Sequence, residues 1–472
     1  MNVHNGRHHG RWITEWDPED PVFWERTGRH VARRNLWLSV LSEHIGFSVW
    51  SMWSVLVLFM SPEIGFDFTK SEKFLLVITP TLVGAVLRLP YSSAVARFGG
   101  RNWTVFASGV LLVPAGLAAY FVQRPGTPLW VFLLVGALGG VGGGNFASSM
   151  TNITAFYPLR HQGWALGLNA GGGNLGVAVV QLLGLLVIAT AGDTHPSYVA
   201  AVYLPLIALA AVLAALRMDN LASVRTEKGA LREAAAHPHS WWISALYIGT
   251  FGSFIGYGFA FGLVLQSQFG STALEAASAT FLGPLLGSLS RPVGGRLADR
   301  FGGARVTFWN FLAMAAGTAV LLAASAGGSF GLFIGAFTVL FVLSGLGNGS
   351  TYKMIPAVHA AEAERAVAAG HDAADAFTRS RRLSGAVIGI AGAVGALGGV
   401  GINFAFRTAY GTWGSGTAAF AVFLAYYGLC MLLVRAVYLR RGPGRGQDPD
   451  TSPAAPSSAA GPAARVRSGA GV

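Results

Sequence analysis

The stretch RLPYSSAVARFGG at residues 88–100 returns as RPVGGRLADRFGG at residues 291–303, which lie 203 positions later. Both copies begin with arginine and close with RFGG in the same register. Two shorter matches share this offset, namely GGGN at 142–145 with GLGN at 345–348, and IG at 45–46 with 248–249. Glycine-rich helices can look alike by chance, but the paired arginines weigh against that reading. We therefore predict two pseudo-symmetric halves with a site between them near the membrane midplane.

Composition indicates an integral membrane protein. Of 472 residues, 53% are hydrophobic, 11% are charged and 64 are glycine. Soluble domains carry about 25% charged residues, so a soluble protein of this composition could not cover its surface with polar groups. The net charge of +12 lies in short loops and tails, which does not suggest nucleic-acid binding. The sole cysteine, Cys430, lies in an apolar run, and we expect no disulfide, metal site or cofactor.

Twelve apolar runs are long enough to cross a bilayer. Their approximate limits are 36–60, 74–96, 103–123, 129–156, 163–191, 198–217, 241–269, 273–298, 304–325, 330–356, 383–408 and 413–437. The predicted fold is all-α, with twelve transmembrane helices in two six-helix bundles. We assign residues 1–35 to a cytoplasmic N-terminal segment, 36–217 and 241–437 to the bundles, 218–240 to a cytoplasmic linker, and 438–472 to a disordered cytoplasmic tail.

Basic residues alternate between the two sides of the predicted membrane. Arginines and lysines cluster in the N-terminal segment, in the linker and in the loop after the tenth run, whereas the loops near 192–197, 270–274 and 326–329 carry none. Positive loops lie in the cytoplasm, so we expect a multi-pass protein of the cell membrane with both termini inside. The first 35 residues lack an apolar core, and we expect no cleavable signal peptide.

Few ionisable residues lie inside the runs. Arg88, Arg291 and Glu43 are the central ones, and a charge at a helix centre costs at least about 2.5–3.5 kcal/mol. Each arginine could instead snorkel to the interface or pair with a carboxylate. One carboxylate cannot neutralise two arginines, so an anion is the expected partner. A guanidinium fork suits a planar oxyanion better than an ammonium group does.

Two glycine-rich tracts accompany these charges, GGVGGGNFASSMTNITAFYP at 139–158 and GLNAGGGNLGVAVVQLLG at 167–184. Small residues let membrane helices approach closely. We predict that Gly171, Gly173 and Gly176 lie at a moving helix contact, although simple packing would also explain them. A phosphate-binding loop is not indicated, because no strand precedes these glycines and no Gly-Lys-Ser/Thr follows.

At these residues the sequence resembles the nitrate/nitrite porter (NarK-type) family of the major facilitator superfamily. The similarity runs from about residue 36 to 437. It is carried by NFASSMTNITAFYP (145–158), GLNAGGGNLGVA (167–178) and GLGNGSTYKMIP (345–356). The loops VARFGGRN (95–102) and LADRFGGARV (297–306) resemble the superfamily's short basic motif. Ala96 stands where the second copy has Asp299, which puts the usual gating ion pair in doubt for the first half.

The resemblance implies a transporter and a set of site residues. Arg88 and Arg291 would hold the anion from opposite halves, and Asn174 would hydrogen-bond it. Phe146 and Phe251 would sandwich it, and Tyr247 would line the site. We further expect gating or helix-contact roles for Asn145, Asn348 and Asp299. Without the family, both phenylalanines would be read as ordinary packing residues.

Several functions remain open from the sequence. The leading hypothesis is secondary transport of nitrate and nitrite by a monomer in the lipid bilayer, working by exchange. Proton symport is the alternative, with Glu43 as the candidate proton carrier. Glu43 could instead pair with an arginine or make a polar contact without carrying a proton. If it pairs it should stay charged, whereas a Glu43 buried without a partner could carry a proton. A porter for an organic carboxylate or phosphate, or a non-transporting anion receptor, is less favoured. An enzyme or an ATP-driven pump is not indicated.

Overall fold

The computed structural model of the protein describes residues 8–9, 11–222, 224 and 229–440. Within these ranges the chain is mainly helical and forms twelve long helices, α1 to α12. The first six are α1 (Arg29–Ser51 and Trp53–Phe59), α2 (Lys70–Phe98), α3 (Gly100–Gly109 and Leu112–Phe121), α4 (Leu129–Gly139 and Val141–Phe156), α5 (Leu159–Ala191) and α6 (Ser197–Arg217).

The second six helices follow the linker. They are α7 (Pro238–Tyr247, a π-helical turn Ile248–Gly252, and Ser253–Phe269), α8 (Ala273–Thr280 and Leu282–Phe301), α9 (Gly303–Ala326), α10 (Phe330–Ala368), α11 (Ala373–Trp413) and α12 (Thr417–Val434 and Arg435–Leu439). Shorter elements are Pro21–Phe23, Trp24–Gly28, Pro62–Ile64, the linker helix Ala230–Ala236, and strands β1 (His8–His9), β2 (Trp12–Ile13) and β3 (Asn220–Leu221).

Ten of these helices are long and apolar enough to cross a membrane. The other two, α1 and α8, each carry several charged residues, including Glu43 and Arg291. Several helices continue beyond the predicted apolar runs. For example, α10 extends to Ala368 and α11 begins at Ala373, because charged turns outside an apolar run can remain helical. The linker region 218–240 contains β3 and the linker helix. Of the predicted tail at 438–472, residues 438–439 belong to the end of α12, and residues 441–472 lie outside the described residues.

The 203-residue repeat extends to the ends of helices. Thr69 and Glu72 form a capping box at the start of α2, and Thr272 and Glu275 form one at the start of α8. Each box satisfies backbone N–H groups that the first helical turn leaves without acceptors. Gly99 and Gly302, at the ends of α2 and α8, have φ angles of 86° and 89°.

Helices from the two halves close one end of the molecule. Near the start of α2, Phe74 stacks on Tyr410 of α11, with ring centroids 5.7 Å apart and planes 9° apart. Arg407 Nε donates to Ser71 Oγ at 2.9 Å, and Lys70 Nζ donates to the carbonyl oxygen of Ser267 at 3.1 Å. Aromatic stacking and hydrogen bonds therefore join α2 to α11 and α7 at this end.

The opposite end carries the linker and the described ends of the chain. Strand β2 pairs in parallel with β3 of the linker, and Asp219 forms an ion pair with Arg34 of α1. His239, at the start of α7, contacts the Tyr438 hydroxyl at the end of α12, with Nδ1 and Oη 3.1 Å apart. We call this end the terminal end of the molecule.

The glycine at the α2–α3 junction provides a test of the fold. Gly99 has φ 86° and ψ 145°, a region that essentially only glycine occupies, and a Cβ there would collide with the Asn220 side chain. We expect Gly99→Ala to destabilise the protein by about 1–3 kcal/mol and to lower its Tm in detergent. The control is Gly414→Ala, at φ 67° and ψ 4° with open space around the added methyl. Equal Tm losses in the two variants would contradict this account.

Candidate functional site

Arg88 is buried in the middle of the molecule, with 1% of its surface exposed. Its Nε donates to the carbonyl oxygen of Gly143 at 3.2 Å, and its Nη1 donates to the carbonyl oxygen of Gly392 at 2.8 Å. Gly143 belongs to α4, whereas Gly392 belongs to α11 in the other half. The remaining nitrogen, Nη2, has no hydrogen-bond partner among the described residues. Arg88 therefore joins the two halves and keeps one donor nitrogen unused.

Arg291 occupies the equivalent position on α8 and is 6% exposed. Its Nη2 donates to the Tyr247 hydroxyl at 3.3 Å, and its guanidinium carbon lies 5.5 Å from the centre of the Tyr352 ring. Nη1 finds no partner within the described part of the chain. Each half thus contributes one buried guanidinium group, and one nitrogen of each group is unpaired as far as the described residues go.

Aromatic rings connect the two arginines. The guanidinium carbon of Arg88 lies 4.6 Å from the ring centre of Phe146 and 4.9 Å from that of Phe251. These two rings are 6.2 Å apart with planes at 27°, and Tyr247 stacks on Phe251 at 5.2 Å. Aromatic faces attract cations, so the rings hold the guanidinium groups in place. Five of the six predicted substrate-binding residues therefore form one connected cluster.

Local backbone features of α7 position Tyr247 and Phe251. Phe251 lies within the π-helical turn Ile248–Gly252, which directly follows Tyr247. Such turns are frequent at functional sites because the extra residue shifts the side chains that follow it. Glycines of α11 make room for this segment. A Cβ at Gly395 would press on the Tyr247 ring, and one at Gly398 would come within 3.0 Å of the Gly252 Cα.

A cavity of about 1810 Å³ reaches the cluster. Arg88, Arg291 and Phe146 lie on its wall, as do Gly229, Ala230 and Leu231 of the linker region. The latter residues belong to the terminal end, so the cavity leads from that end to the arginines. The opposite end is the one closed by α2, α7 and α11.

Ion pairs lie around the mouth of this cavity. Glu233 of the linker helix pairs with Arg379 and Arg382 of α11. The hydrogen bond from Arg379 lowers the pKa of the Glu233 carboxyl below its usual value. Asp299 accepts from Lys353 Nζ at 2.8 Å, and both belong to the second half. In this conformation Asp299 therefore stabilises α8 against α10 and does not join the two halves.

Glu43 is fully buried beside this site. One carboxylate oxygen accepts hydrogen bonds from the Ser149 hydroxyl and from Asn169 Nδ2, the latter at 2.7 Å. The other oxygen, Oε1, has no hydrogen-bond partner among the residues that the structure describes. Arg88 and Arg291 are the charged groups that act on it, but its direct partners are neutral. Of the two structural alternatives for Glu43, the structure shows a polar contact, and no described arginine pairs with it directly.

The three glycines of α5 differ in their surroundings. A Cβ at Gly173 would collide with the Glu43 carboxylate, and one at Gly176 with the carbonyl oxygen of His44. Both glycines therefore lie where α5 contacts α1. Gly171 has open space at its Cβ position and lies on the cavity wall. In this conformation Gly171 therefore makes no close helix contact at its Cβ position, and the moving contact expected there stays a prediction.

The three predicted asparagines have different environments. Asn145 Nδ2 donates to the Ser42 hydroxyl of α1 at 3.0 Å, which makes a contact between α4 and α1. Asn348 and Asn174 are both buried at 1% exposure, and neither amide makes a hydrogen bond with any described residue. The structure does not show Asn174 in contact with the arginine cluster.

Two residues of the site were absent from the sequence prediction. Tyr352 faces Arg291, and Gly392 supplies a carbonyl oxygen to Arg88. Tyr352 lies in the quoted tract at 345–356, four positions after Asn348 and so on the same helix face. Gly392 had no signal beyond its glycine-rich surroundings, because a backbone acceptor can belong to any residue.

The cluster has the chemistry of a small-anion site. Two guanidinium groups supply charge and unpaired N–H donors, and aromatic rings form apolar walls. Charge-assisted hydrogen bonds from arginine are among the strong ones, and the planar fork matches a planar oxyanion. A flat, weakly hydrated anion loses little on entering such walls.

Comparisons with known proteins agree with the fold and identify the family. A sequence model of the Major Facilitator Superfamily matches residues 44–399. A crystal structure of a D-xylose–proton symporter superimposes with a TM-score of 0.62 at 15% identity, covering 86% of this chain and 97% of the symporter. That likeness concerns the fold alone. The predicted all-α membrane fold is confirmed.

Curated relatives cover nearly the whole chain. It is 39% identical over 462 residues to the nitrate/nitrite transporter NarU of Salmonella typhimurium, covering 94% of this chain and 99% of that protein. It is 32% identical over 464 residues to the probable nitrate/nitrite antiporter NarK2 of Thermus thermophilus, covering 92% and 98%. These relatives are transporters, which confirms that the chain is not an enzyme. The chain belongs to the nitrate/nitrite porter family of the major facilitator superfamily.

Proposed function

We propose that the protein transports nitrate and nitrite across the cytoplasmic membrane by alternating access. The observation that carries this proposal is the pair of buried arginines, Arg88 and Arg291, each with one guanidinium nitrogen that has no hydrogen-bond partner among the described residues. They come from opposite halves and are connected through Phe251 and Tyr247. The names of the relatives NarU and NarK2 support these anions as the substrates.

In an alternating-access cycle the two ends of the molecule would open in turn. Residues 36–217 and 241–437 would move as two bundles around the arginine pair. In the present conformation the terminal end is open through the cavity, and stacking of Phe74 on Tyr410 closes the other end. With the termini in the cytoplasm, as the basic loops predict, this is an inward-open state.

Exchange of nitrate for nitrite is the coupling that the charges favour. Two guanidinium groups near one another repel when the site is empty, and one buried carboxylate offsets only part of that charge. A bound anion relieves the repulsion and favours closure of the halves. The empty carrier should therefore return slowly, whereas a carrier loaded with the second anion returns fast.

Proton-coupled nitrate symport is the second candidate, and Glu43 is the observation that favours it. Its carboxylate is buried, its hydrogen bonds come from the neutral groups of Ser149 and Asn169, and Oε1 is unpaired among the described residues. A carboxyl group in such surroundings can exist in either protonation state. Exchange and symport therefore differ in whether Glu43 must change its charge during the cycle.

Transport assays with Glu43→Gln separate the two coupling modes. We expect proteoliposomes preloaded with nitrite to take up labelled nitrate, and Glu43→Gln to retain this exchange, since glutamine can still accept from Ser149. Vesicles that carry only a pH gradient provide the comparison. Rapid pH-driven uptake by the parent that disappears in Glu43→Gln, while exchange persists, would establish symport and refute exchange as the physiological mode.

Lysine substitutions test the arginine pair. Arg88→Lys and Arg291→Lys keep the charge but lose the two-donor fork. Losing one charge-assisted hydrogen bond costs about 1.5–3 kcal/mol, so we expect nitrate uptake to fall at least about tenfold. The control is Arg296→Lys. Arg296 is exposed, lies on α8 like Arg291, and also lines the cavity. Near-normal uptake by either site variant would refute the two-arginine site.

The glycines of α5 test whether the α5–α1 contact matters for the cycle. In Gly176→Ala the new methyl group collides with the backbone of α1, whereas in Gly171→Ala it meets open cavity. We expect Gly176→Ala to slow exchange severalfold and Gly171→Ala to leave it near the parental rate, at equal amounts of protein in the membrane. If both variants exchange at the parental rate, the close α5–α1 contact is incidental to transport.

A further inference from the structure

Three potential metal ligands meet at the terminal end, away from the arginine cluster. His359 and Glu362 lie three positions apart on α10 and so share a helix face. His237 directly follows the linker helix and precedes α7. His359 is 1% exposed, whereas His237 and Glu362 have side-chain exposures of 25% and 28%. The linker and α10 are thus brought together by two imidazoles and one carboxylate.

The ligand atoms are close to the geometry of a metal centre. His359 Nδ1 lies 2.9 Å from Glu362 Oε2, and His237 Nε2 lies 3.2 Å from Glu362 Oε1. One ligand atom from each residue lies within 4.8 Å of the other two. In a tetrahedral zinc site with ligands at about 2.0–2.1 Å, neighbouring ligand atoms are about 3.3 Å apart. Small side-chain movements would therefore complete the coordination.

Each imidazole meets Glu362 through one nitrogen, and its other nitrogen makes no hydrogen bond with a described residue. His359 Nε2 and His237 Nδ1 are buried and have no hydrogen-bond partner among the described residues. Two imidazoles and one carboxylate, with a fourth position left for water, form a ligand set that binds Zn²⁺. A metal would replace the two protons now shared with Glu362, because bound imidazole and carboxylate must be deprotonated at the coordinating atoms.

We propose that His237, His359 and Glu362 bind one zinc-like divalent ion, which fastens the linker to α10. The linker helix is already held on its other side, where Glu233 pairs with Arg379 and Arg382 of α11. Ala230 and Leu231 of the same helix line the cavity mouth. The bound ion would therefore fix the segment that borders the anion route at the terminal end.

No single stretch of sequence indicates this site, and from the sequence we expected no metal site. His237 and Glu362 come from elements far apart in the sequence, and a His-x-x-Glu spacing alone is common in helices. Only the packing of the linker against α10 places the three side chains together.

Zinc titration of the purified, tag-free, EDTA-treated protein tests the proposal. We expect about one equivalent of Zn²⁺ to bind by calorimetry, and Mg²⁺, which prefers oxygen ligands, to produce no comparable heat. Loss of an outer-shell partner already costs metal sites 10–100-fold in affinity. His237→Gln and Glu362→Gln should therefore each weaken binding at least about tenfold. His237 is partly exposed, so its variant should fold normally.

Two controls define the site. His371→Gln changes an exposed histidine just beyond α10, and His8→Gln/His9→Gln removes the adjacent histidines near the N-terminus; both should bind zinc as the parent does. Zinc should also slow tryptic cleavage of the linker at Arg225, Lys228 and Arg232 in the parent but not in His237→Gln. Absence of zinc binding, or binding that only the His8/His9 variant loses, would overturn the proposal.

Discussion

Two buried guanidinium groups impose the constraint on which the rest of the structure depends. Arg88 and Arg291 are held inside a largely apolar bundle, where an uncompensated charge is costly. Two backbone carbonyl oxygens and a tyrosine hydroxyl accept hydrogen bonds from these groups, and aromatic faces lie against them. These groups hold the arginines without cancelling their charge, and each guanidinium keeps a nitrogen unused by the described residues. The site therefore retains positive charge and donors for a ligand.

The duplicated scaffold carries an asymmetric site. Positions related by the 203-residue offset keep the same arginines, capping boxes and positive-φ glycines. Other related positions differ: His44 corresponds to Tyr247, Phe146 to Gly349, and Ala96 to Asp299. Symmetry preserves the helices and their ends, since both halves must form similar bundles. The side chains between them are free to diverge, because one small ligand can contact different groups on its two sides.

Much of the fold could be predicted from the sequence, because membrane helices require long apolar runs and the repeat marks the halves. Arg88, Arg291 and Glu43 were visible for the same reason, as charges in apolar surroundings. The groups that form hydrogen bonds with these charged side chains were harder to predict from the sequence. Gly392 contributes a backbone oxygen, and Ser149 and Asn169 solvate Glu43 from other helices. Such contacts depend on helix packing and on the π-helical turn at 248–252, neither of which has a local sequence signal.

The hydrogen bond from Arg88 to the carbonyl oxygen of Gly392 crosses from one half to the other. A movement that separates α2 from α11 at this level removes that acceptor from a buried cation. The guanidinium group then has two nitrogens without an acceptor instead of one. An incoming anion can accept the hydrogen bond that the carbonyl oxygen of Gly392 accepted before. When α2 and α11 return to the positions seen here, the carbonyl oxygen again competes with the anion for the Nη1–H group, although Nη2 has no described partner and stays available to the anion. In the transport cycle proposed above, a single backbone oxygen would thus favour loading of the anion in one conformation and its release in the other.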